Sequence, residues 1–134
     1  MKKNAAVYLC NFTPARQREI LPLCAQCGIR VRKVDPADFG QQIGLIAGLP
    51  EFERSQTVEE AEPFTEELML MQGFDQALLD DFLNRFRQRR VKSVALKAVI
   101  TPTNSGWTLL RLHDEIAREH EYMMQQRRQS ADRQ

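Results

Sequence analysis

The chain has 134 residues, of which 43% are hydrophobic and 28% are charged, and this size and balance predict one domain with a core of its own. The 19 Lys and Arg residues against 18 Asp and Glu leave a formal net charge of +1, which argues against a dedicated nucleic-acid-binding protein, because such domains are strongly basic. No apolar run approaches the roughly 18 residues of a membrane helix, so no membrane span is predicted.

The first half of the domain, residues 5–48, is predicted to contain strand, helix, strand and helix in that order. The apolar run from Ala5 to Cys10 predicts a buried strand, and Thr13-Pro14 follows as a helix start with a hydroxyl cap and proline in the first position. The segment from Ile29 to Val34 alternates apolar and basic residues, which indicates an edge strand. Asp35-Pro36 then begins a short second helix.

An acidic connection, residues 49–65, is predicted to join the first half to the second half, residues 66–124. The second half begins with a buried strand over residues 68–71, and Asp75 then caps a helix with a pronounced apolar stripe. A fourth strand is predicted over residues 94–100, followed by a final helix that begins near Trp107 and includes Met123. Residues 125–134 are polar and basic, so they are predicted to be a flexible tail.

These elements predict an α/β fold: a single compact domain, residues 1–124, in which two tandem β-α-β-α halves form a mainly parallel four-stranded sheet flanked by helices. A weak internal repeat supports the two halves. Asn11-Phe12 and Gly73-Phe74 each lie between a strand and a helix, and Asp35-Pro36 and Thr101-Pro102 each follow the second strand of their half. Neither half alone would be stable, because each contributes only two strands.

The second half also resembles a known family. Gly73-Phe74, the string Leu-Lys-Ala-Val-Ile-Thr-Pro-Thr-Asn over residues 96–104, and Trp107 are similar to the bacterial family called domain of unknown function 3783. The resemblance covers mainly residues 66–124. It implies a small bacterial cytosolic protein and supplies no reaction or catalytic residue.

The loop from Thr101 to Trp107 is the segment best suited to hold a ligand. In parallel sheets ligands bind beyond the carboxyl ends of the strands, and a helix amino terminus, which attracts anions, follows this loop. The candidate residues for an anionic ligand are Lys97, Thr101, Thr103, Asn104, Ser105 and Trp107. A purely structural role is favoured, in which Asn104 or Ser105 caps the final helix, Pro102 rigidifies the turn and Trp107 anchors the core.

Lys97 is the single charged residue in an otherwise apolar strand. If it were buried and unpaired, its pKa would be lowered and it could act as a base or nucleophile. A lysine in such a strand more often extends to water or to a carboxylate at the sheet edge. The second interpretation is favoured, and the strand order decides between them.

Other chemistries have weaker support. Cys24 and Cys27 have redox spacing, but they end a helix, where the dipole does not lower a thiol pKa, so packing explains them better. His113 and His120 are seven positions apart, too far for joint metal ligation, and neither a metal site nor a cofactor is predicted. The basic cluster over residues 85–92 lacks interleaved aromatic residues, so a nucleic-acid partner is not favoured.

Two function classes remain open from the sequence. The favoured one is a non-enzymatic, cytoplasmic protein-interaction or regulatory module that binds a partner protein or itself, because catalytic signatures are missing and one edge strand is available for pairing. The alternative is a protein, or an enzyme, that binds an anionic small molecule with the Thr101–Trp107 loop and Lys97. The three cysteines indicate reduced thiols, consistent with the cytoplasm.

Overall fold

The structure, a computed structural model, describes residues 4–53 and 62–132. Its strands are β1 (Ala6–Cys10), β2 (Arg30–Lys33), β3 (Leu68–Gln72) and β4 (Leu96–Val99), and its helices are α1 (Pro14–Gln26), α2 (Ile43–Ile46), α3 (Gln76–Gln88) and α4 (Leu109–Asp132). A single 3₁₀ turn precedes α2 at Pro36–Asp38 and α4 at Asn104–Gly106. The predicted alternation of strands and helices is confirmed.

The four strands form one sheet in the order β2-β1-β3-β4. β1 pairs with β2 in parallel and β3 pairs with β4 in parallel, whereas the central strands β1 and β3 are antiparallel. The mainly parallel sheet is therefore confirmed, with one antiparallel pair where the halves meet. As a consequence, the carboxyl ends of the two parallel pairs lie at opposite ends of the sheet, and the Thr101–Trp107 loop extends from the β3–β4 pair alone.

Helices cover both faces of the sheet. Because successive strand residues point to opposite sides, Val7 and Met69 pack under α1 and α3, whereas Tyr8 and Leu70 face α2 and the first turns of α4. The central strands are buried on both faces, which explains their continuous apolar runs.

Local sequence explains where α1 and α3 begin and what they bury. Thr13 Oγ1 accepts a hydrogen bond from the Arg16 amide (3.1 Å), and Asp75 Oδ1 accepts one from the Leu78 amide (2.8 Å). These caps satisfy amide groups that lack a partner within the helix. The apolar stripe predicted for α3 consists of Leu78, Leu79, Phe82, Leu83 and Phe86. Of these, Phe82 and Phe86 are fully buried, and the three leucines are half-buried.

The two halves repeat each other closely. α1 and α3 both have 13 residues, and α3 begins 62 positions after α1. Asn11 and Gly73, which are also 62 positions apart, both have positive φ angles of 63° and 73°. Later in each half the interval is 66 positions, and at this interval Gln42 and Thr108 form an antiparallel bridge with each other. The halves are therefore related by an approximate two-fold axis between β1 and β3.

The repeat breaks down at its second helix. α2 is a single turn of four residues, whereas α4 has 24 residues and continues through Asp132. The described part of the flexible tail predicted over residues 125–134 is therefore helical as far as Asp132. No glycine or proline interrupts the chain after Met124, so the helix can continue. β4 is shorter than predicted. Residues 54–61 of the predicted acidic connection lie outside the described residues.

Candidate functional site

The predicted ligand loop is closed on itself by reciprocal hydrogen bonds. The Thr101 amide donates to Asn104 Oδ1 (2.9 Å), and the Asn104 amide donates to Thr101 Oγ1 (3.1 Å). Asn104 Nδ2 donates to the Val99 carbonyl (3.0 Å), which attaches the loop to the end of β4. Both polar atoms of the Asn104 side chain are thus used within the loop and the end of β4, and neither of them caps the final helix.

The other loop residues are divided between core and solvent. Ser105 is buried and its hydroxyl donates to the Pro102 carbonyl (2.9 Å). Thr103 is exposed. Trp107 is half-buried against the α2–α4 side of the core, and the Arg111 guanidinium lies 4.2 Å from the centre of its ring. This cation–π contact covers one face of the Trp107 ring, whereas Thr101, Thr103 and Gly106 are exposed to solvent.

The amino terminus of α4 has its backbone donors already engaged. The Leu109 amide donates to the Gln41 carbonyl (3.1 Å), and the Leu110 amide donates to the Phe39 carbonyl (3.0 Å). The next two amides, of residues 111 and 112, both donate to Thr108, the first to its hydroxyl and the second to its carbonyl. Thr108, and not Asn104 or Ser105, is therefore the residue that caps the final helix. An anion at this terminus would have to displace these bonds.

Lys97 does not lie with the other candidate residues. It alternates with Leu96 and Ala98 along β4, and those two residues pack on the α4 side, so Lys97 points to the α3 side. There its ammonium donates to the Val94 carbonyl (2.9 Å), beside a cavity of about 350 Å³ that Leu83 and Phe86 also line. Burial lowers the pKa of Lys97. The structure thus brings Thr101, Asn104, Ser105 and Trp107 together and separates Lys97 from them.

The Cys24–Cys27 pair is part of the packing around α1. Cys24 is buried in the core and Cys27 is half-buried at the helix end, and both are free thiols. Burial, together with the neighbouring Cys27, raises the pKa of Cys24 to about 12. Burial also raises the pKa of Cys27. A thiol with a raised pKa is a poor nucleophile at neutral pH, so the pair does not have the chemistry of a redox motif.

An aromatic stack that the sequence did not indicate joins the acidic connection to α4. Phe64 stacks on Phe39 (4.3 Å between ring centres) on one side and on His113 (4.1 Å) on the other. His113 Nε2 also lies 2.8 Å from Glu66 Oε1. The only sequence signal was an aromatic residue at the end of the acidic connection. This stack explains His113 as a structural residue at the boundary of the core.

The sequence also did not indicate that an arginine, Arg16, is buried. Arg16 lies in the first turn of α1, and its Nε donates to both carboxylate oxygens of Glu67 (3.2 Å each). Its Nη2 donates to the Lys92 and Ser93 carbonyls. These contacts fasten the segment before β4 to the start of α1. Because Arg16 and Glu67 are 51 positions apart, only the folded chain shows the pair.

The second half of α4 extends past the sheet. From Arg118 to Ser130 every residue is exposed, including Tyr122, Met123 and Met124, whose exposed fractions are 62%, 56% and 37%. Met123 was predicted to belong to the final helix, which the structure confirms, but the helix no longer packs on the core at this point. Within the described ranges no helix is both long and apolar enough to cross a membrane.

The fold places this molecule in the class of α/β domains: two βαβ units related by an approximate two-fold axis form one sheet, and a long helix projects from it. Residues 67–123 match the sequence model of a family described as "Domain of unknown function (DUF3783)". This match confirms the resemblance seen in the second half, and it extends from the residue before β3 to the middle of α4. No curated protein and no solved structure gave a significant match to the chain.

Proposed function

We propose that this protein is a non-enzymatic interaction module that associates with a second copy of itself through the exposed half of α4. The observation that carries the proposal is the cluster of Tyr122, Met123 and Met124, three consecutive large apolar residues that are all exposed on a projecting helix, with Met123 and Met124 about 100° apart around its axis. Exposed apolar side chains that cluster in this way are typical of surfaces that bind another protein.

The charge pattern of this helical segment favours a second copy over an unrelated partner. Glu119 and Glu121 precede the apolar cluster, and Arg127 and Arg128 follow it. If two copies pack antiparallel with Met123 beside Met124 of the other copy, Glu119 of each copy lies opposite Arg128 of the other. The same patch then meets itself across a two-fold axis, as in most homodimers.

The interface that these residues provide is small. Met123 and Met124 of each copy and a few exposed ion pairs, each pair contributing up to about 1 kcal/mol, support a weak and reversible dimer. We therefore expect the monomer and dimer to exchange over micromolar to millimolar protein concentrations. A cytoplasmic location accords with this function and with the three free thiols, because free thiols persist in reducing compartments.

Sedimentation equilibrium of the full chain tests the proposal. The wild type is expected to show a mass that rises with concentration, and Met123→Glu is expected to remain a monomer. Leu21→Glu is the matched control, because Leu21 is an exposed apolar residue (43%) on α1, away from α4, and its replacement should leave the dimer intact. A wild type that stays monomeric at every concentration would refute self-association.

A charge exchange tests the antiparallel arrangement itself. Glu119→Lys/Glu121→Lys and Arg127→Glu/Arg128→Glu are each expected to weaken the homodimer, because like charges then face each other. Mixing the two variants is expected to give a heterodimer that is tighter than either homodimer. If the mixture forms no heterodimer that is tighter than the homodimers of the two variants, the helices do not pair in this way.

A second candidate function is the binding of an anionic small molecule beside Trp107. It is supported by the Arg111 guanidinium over the indole and by an adjoining cavity of about 340 Å³. Arg111 and Arg118 line this cavity together with the carboxylates of Asp114 and Glu115, so an anion would have to bind on the arginine side. Titration with phosphorylated and carboxylated metabolites is expected to change the fluorescence of Trp107, the single tryptophan. Unchanged fluorescence across the panel would remove this candidate. Arg111→Gln is the matching variant, since it removes the cation and leaves the indole.

A further inference from the structure

A basic groove follows the edge strand β2 on the side of the sheet that α2 and α4 cover. Two cavities of about 400 and 450 Å³ adjoin there and share Tyr8, Arg32 and Ile46 as lining residues. One continues to Val34 at the carboxyl end of β2, and the other continues to Arg30 at its amino end. The groove is thus elongated and runs the length of the strand.

The groove exists because the internal repeat is broken at this place. Arg30 and Arg32 occupy the positions that correspond, at the interval of 66 residues, to Leu96 and Ala98 of β4. In the second half those two residues pack under α4. In the first half α2 is a single turn, so the same face of β2 stays uncovered and has arginines where the repeat has apolar residues.

The two guanidinium groups lie on one face and are available to a ligand. Arg30 pairs in register with Ala6 and Arg32 with Tyr8, which places both arginines on the Tyr8 side of the sheet. Both are exposed, and within residues 4–53 and 62–132 neither side chain forms an ion pair or a hydrogen bond. Among the described residues that line the groove, Asp38 is acidic and lies near the Val34 end.

Tyr8 forms the floor of the groove, and its pKa responds to the nearby charges. Its hydroxyl donates to Gln72 Oε1 (2.6 Å) and lies 3.3 Å from the Ala47 carbonyl. Burial raises the pKa of Tyr8, and the positive charges of Arg32 and Arg30 act in the opposite direction. Both guanidinium groups are therefore close enough to act on a group at the bottom of the groove.

We propose that this groove and the open edge of β2 bind an acidic peptide in extended conformation, with carboxylates at alternate positions facing Arg30 and Arg32. An edge strand presents unpaired backbone groups to an added strand, and alternate side chains on a strand are about 6.6 Å apart on either chain. A second copy of β2 is a poor occupant, because Arg30, Arg32 and Lys33 would face their own like charges. The inference goes beyond the proposed self-association, because it concerns a different partner and a surface separate from α4.

Fluorescence anisotropy with the full chain tests this inference. The probe is a fluorescein-labelled octapeptide that alternates glutamate and threonine, and it is compared with an isomer that has its glutamates in one block and with an octapeptide that alternates lysine and threonine. The alternating acidic peptide is expected to bind at least tenfold more tightly than the block isomer, with affinity that falls as salt rises, and the basic peptide should not bind.

Two matched double variants locate the binding surface. Arg30→Gln/Arg32→Gln is expected to weaken binding of the alternating acidic peptide at least tenfold. Arg87→Gln/Arg89→Gln removes the same charge from exposed positions at the end of α3 and should stay within twofold of the wild type. Circular dichroism should show both variants folded, because all four side chains are exposed.

Three results would each overturn the inference: no binding by the wild type at low salt, equal binding of the alternating and block isomers, or undiminished binding by Arg30→Gln/Arg32→Gln. Met123→Glu, the variant designed against the α4 dimer, is expected to bind the peptide like the wild type. A failure of the groove is therefore distinguishable from a failure of self-association.

Discussion

Replacement of Asn104 with alanine tests whether the loop after β4 is held by its own hydrogen bonds. The side chain makes two of them, accepting from the Thr101 amide and donating to the Val99 carbonyl. A typical hydrogen bond contributes about 0.5 to 1.5 kcal/mol, and water can partly replace the bond to the exposed Thr101 amide, so we expect Asn104→Ala to lower the free energy of unfolding by about 2 kcal/mol. In urea, where small proteins lose about 1 to 3 kcal/mol per molar, the unfolding midpoint should fall by about 1 M.

Thr103→Ala is the control for this measurement. Thr103 is the adjacent residue, it is exposed, and its side chain makes no capping hydrogen bond, so its replacement should change the free energy of unfolding by less than about 0.5 kcal/mol. Both variants can be followed by circular dichroism during urea unfolding. If Asn104→Ala unfolds at the same urea concentration as Thr103→Ala, the reciprocal bonds do not hold the loop.

Three further predictions concern stability. Phe82→Ala should lower the free energy of unfolding by about 3 to 5 kcal/mol, because Phe82 is fully buried; a loss under about 1 kcal/mol in urea would contradict the packing. Gly73→Ala should destabilise more than Gly28→Ala in thermal unfolding, since both have positive φ but only at Gly73 would the added Cβ lie 2.7 Å from the Asn4 carbonyl oxygen; equal losses would argue against that close approach. Burial lowers the pKa of Lys97 in the folded protein, so between that lowered pKa and 10.5 the unfolded chain binds more protons than the folded one, and the free energy of unfolding rises with pH. Lys97→Met should lack this rise. If the free energy of unfolding of the variant follows pH in parallel with that of the wild type, Lys97 is not the cause.

Much of the fold could be predicted from the sequence because its signals are local. Caps at Thr13 and Asp75 and the apolar runs of β1 and β3 depend on neighbours in the chain, and the structure confirms them. The antiparallel meeting of the halves was not predictable in this way, because a buried apolar strand pairs equally well in either direction. That pairing decides which loops share an end of the sheet.

The candidate site was predicted less well than the fold, for related reasons. The Thr101–Trp107 loop was expected to cap the final helix with Asn104 or Ser105, whereas Thr108 caps it and Asn104 bonds within the loop. Its grouping with Lys97 depended on which face of β4 the lysine occupies, and the structure places it on the α3 side. The Arg16–Glu67 ion pair joins residues 51 positions apart, and no local sequence pattern predicts an ion pair between residues so far apart.

The two surfaces proposed for binding have a single structural origin. A symmetric repeat would give each half a second helix of equal length, and each helix would cover the outer strand of its own half. Here α2 has four residues and α4 has 24, so one half leaves the face of β2 open and the other continues beyond the sheet it covers. The side chains at these two places differ. Arg30 and Arg32 lie on the face of β2 that no helix covers, and Tyr122, Met123 and Met124 lie on the part of α4 that extends beyond the sheet. Solvation alone explains the arginines, since exposed strand positions favour charge. It does not explain three adjacent large apolar side chains in water, which lose favourable burial unless another surface covers them.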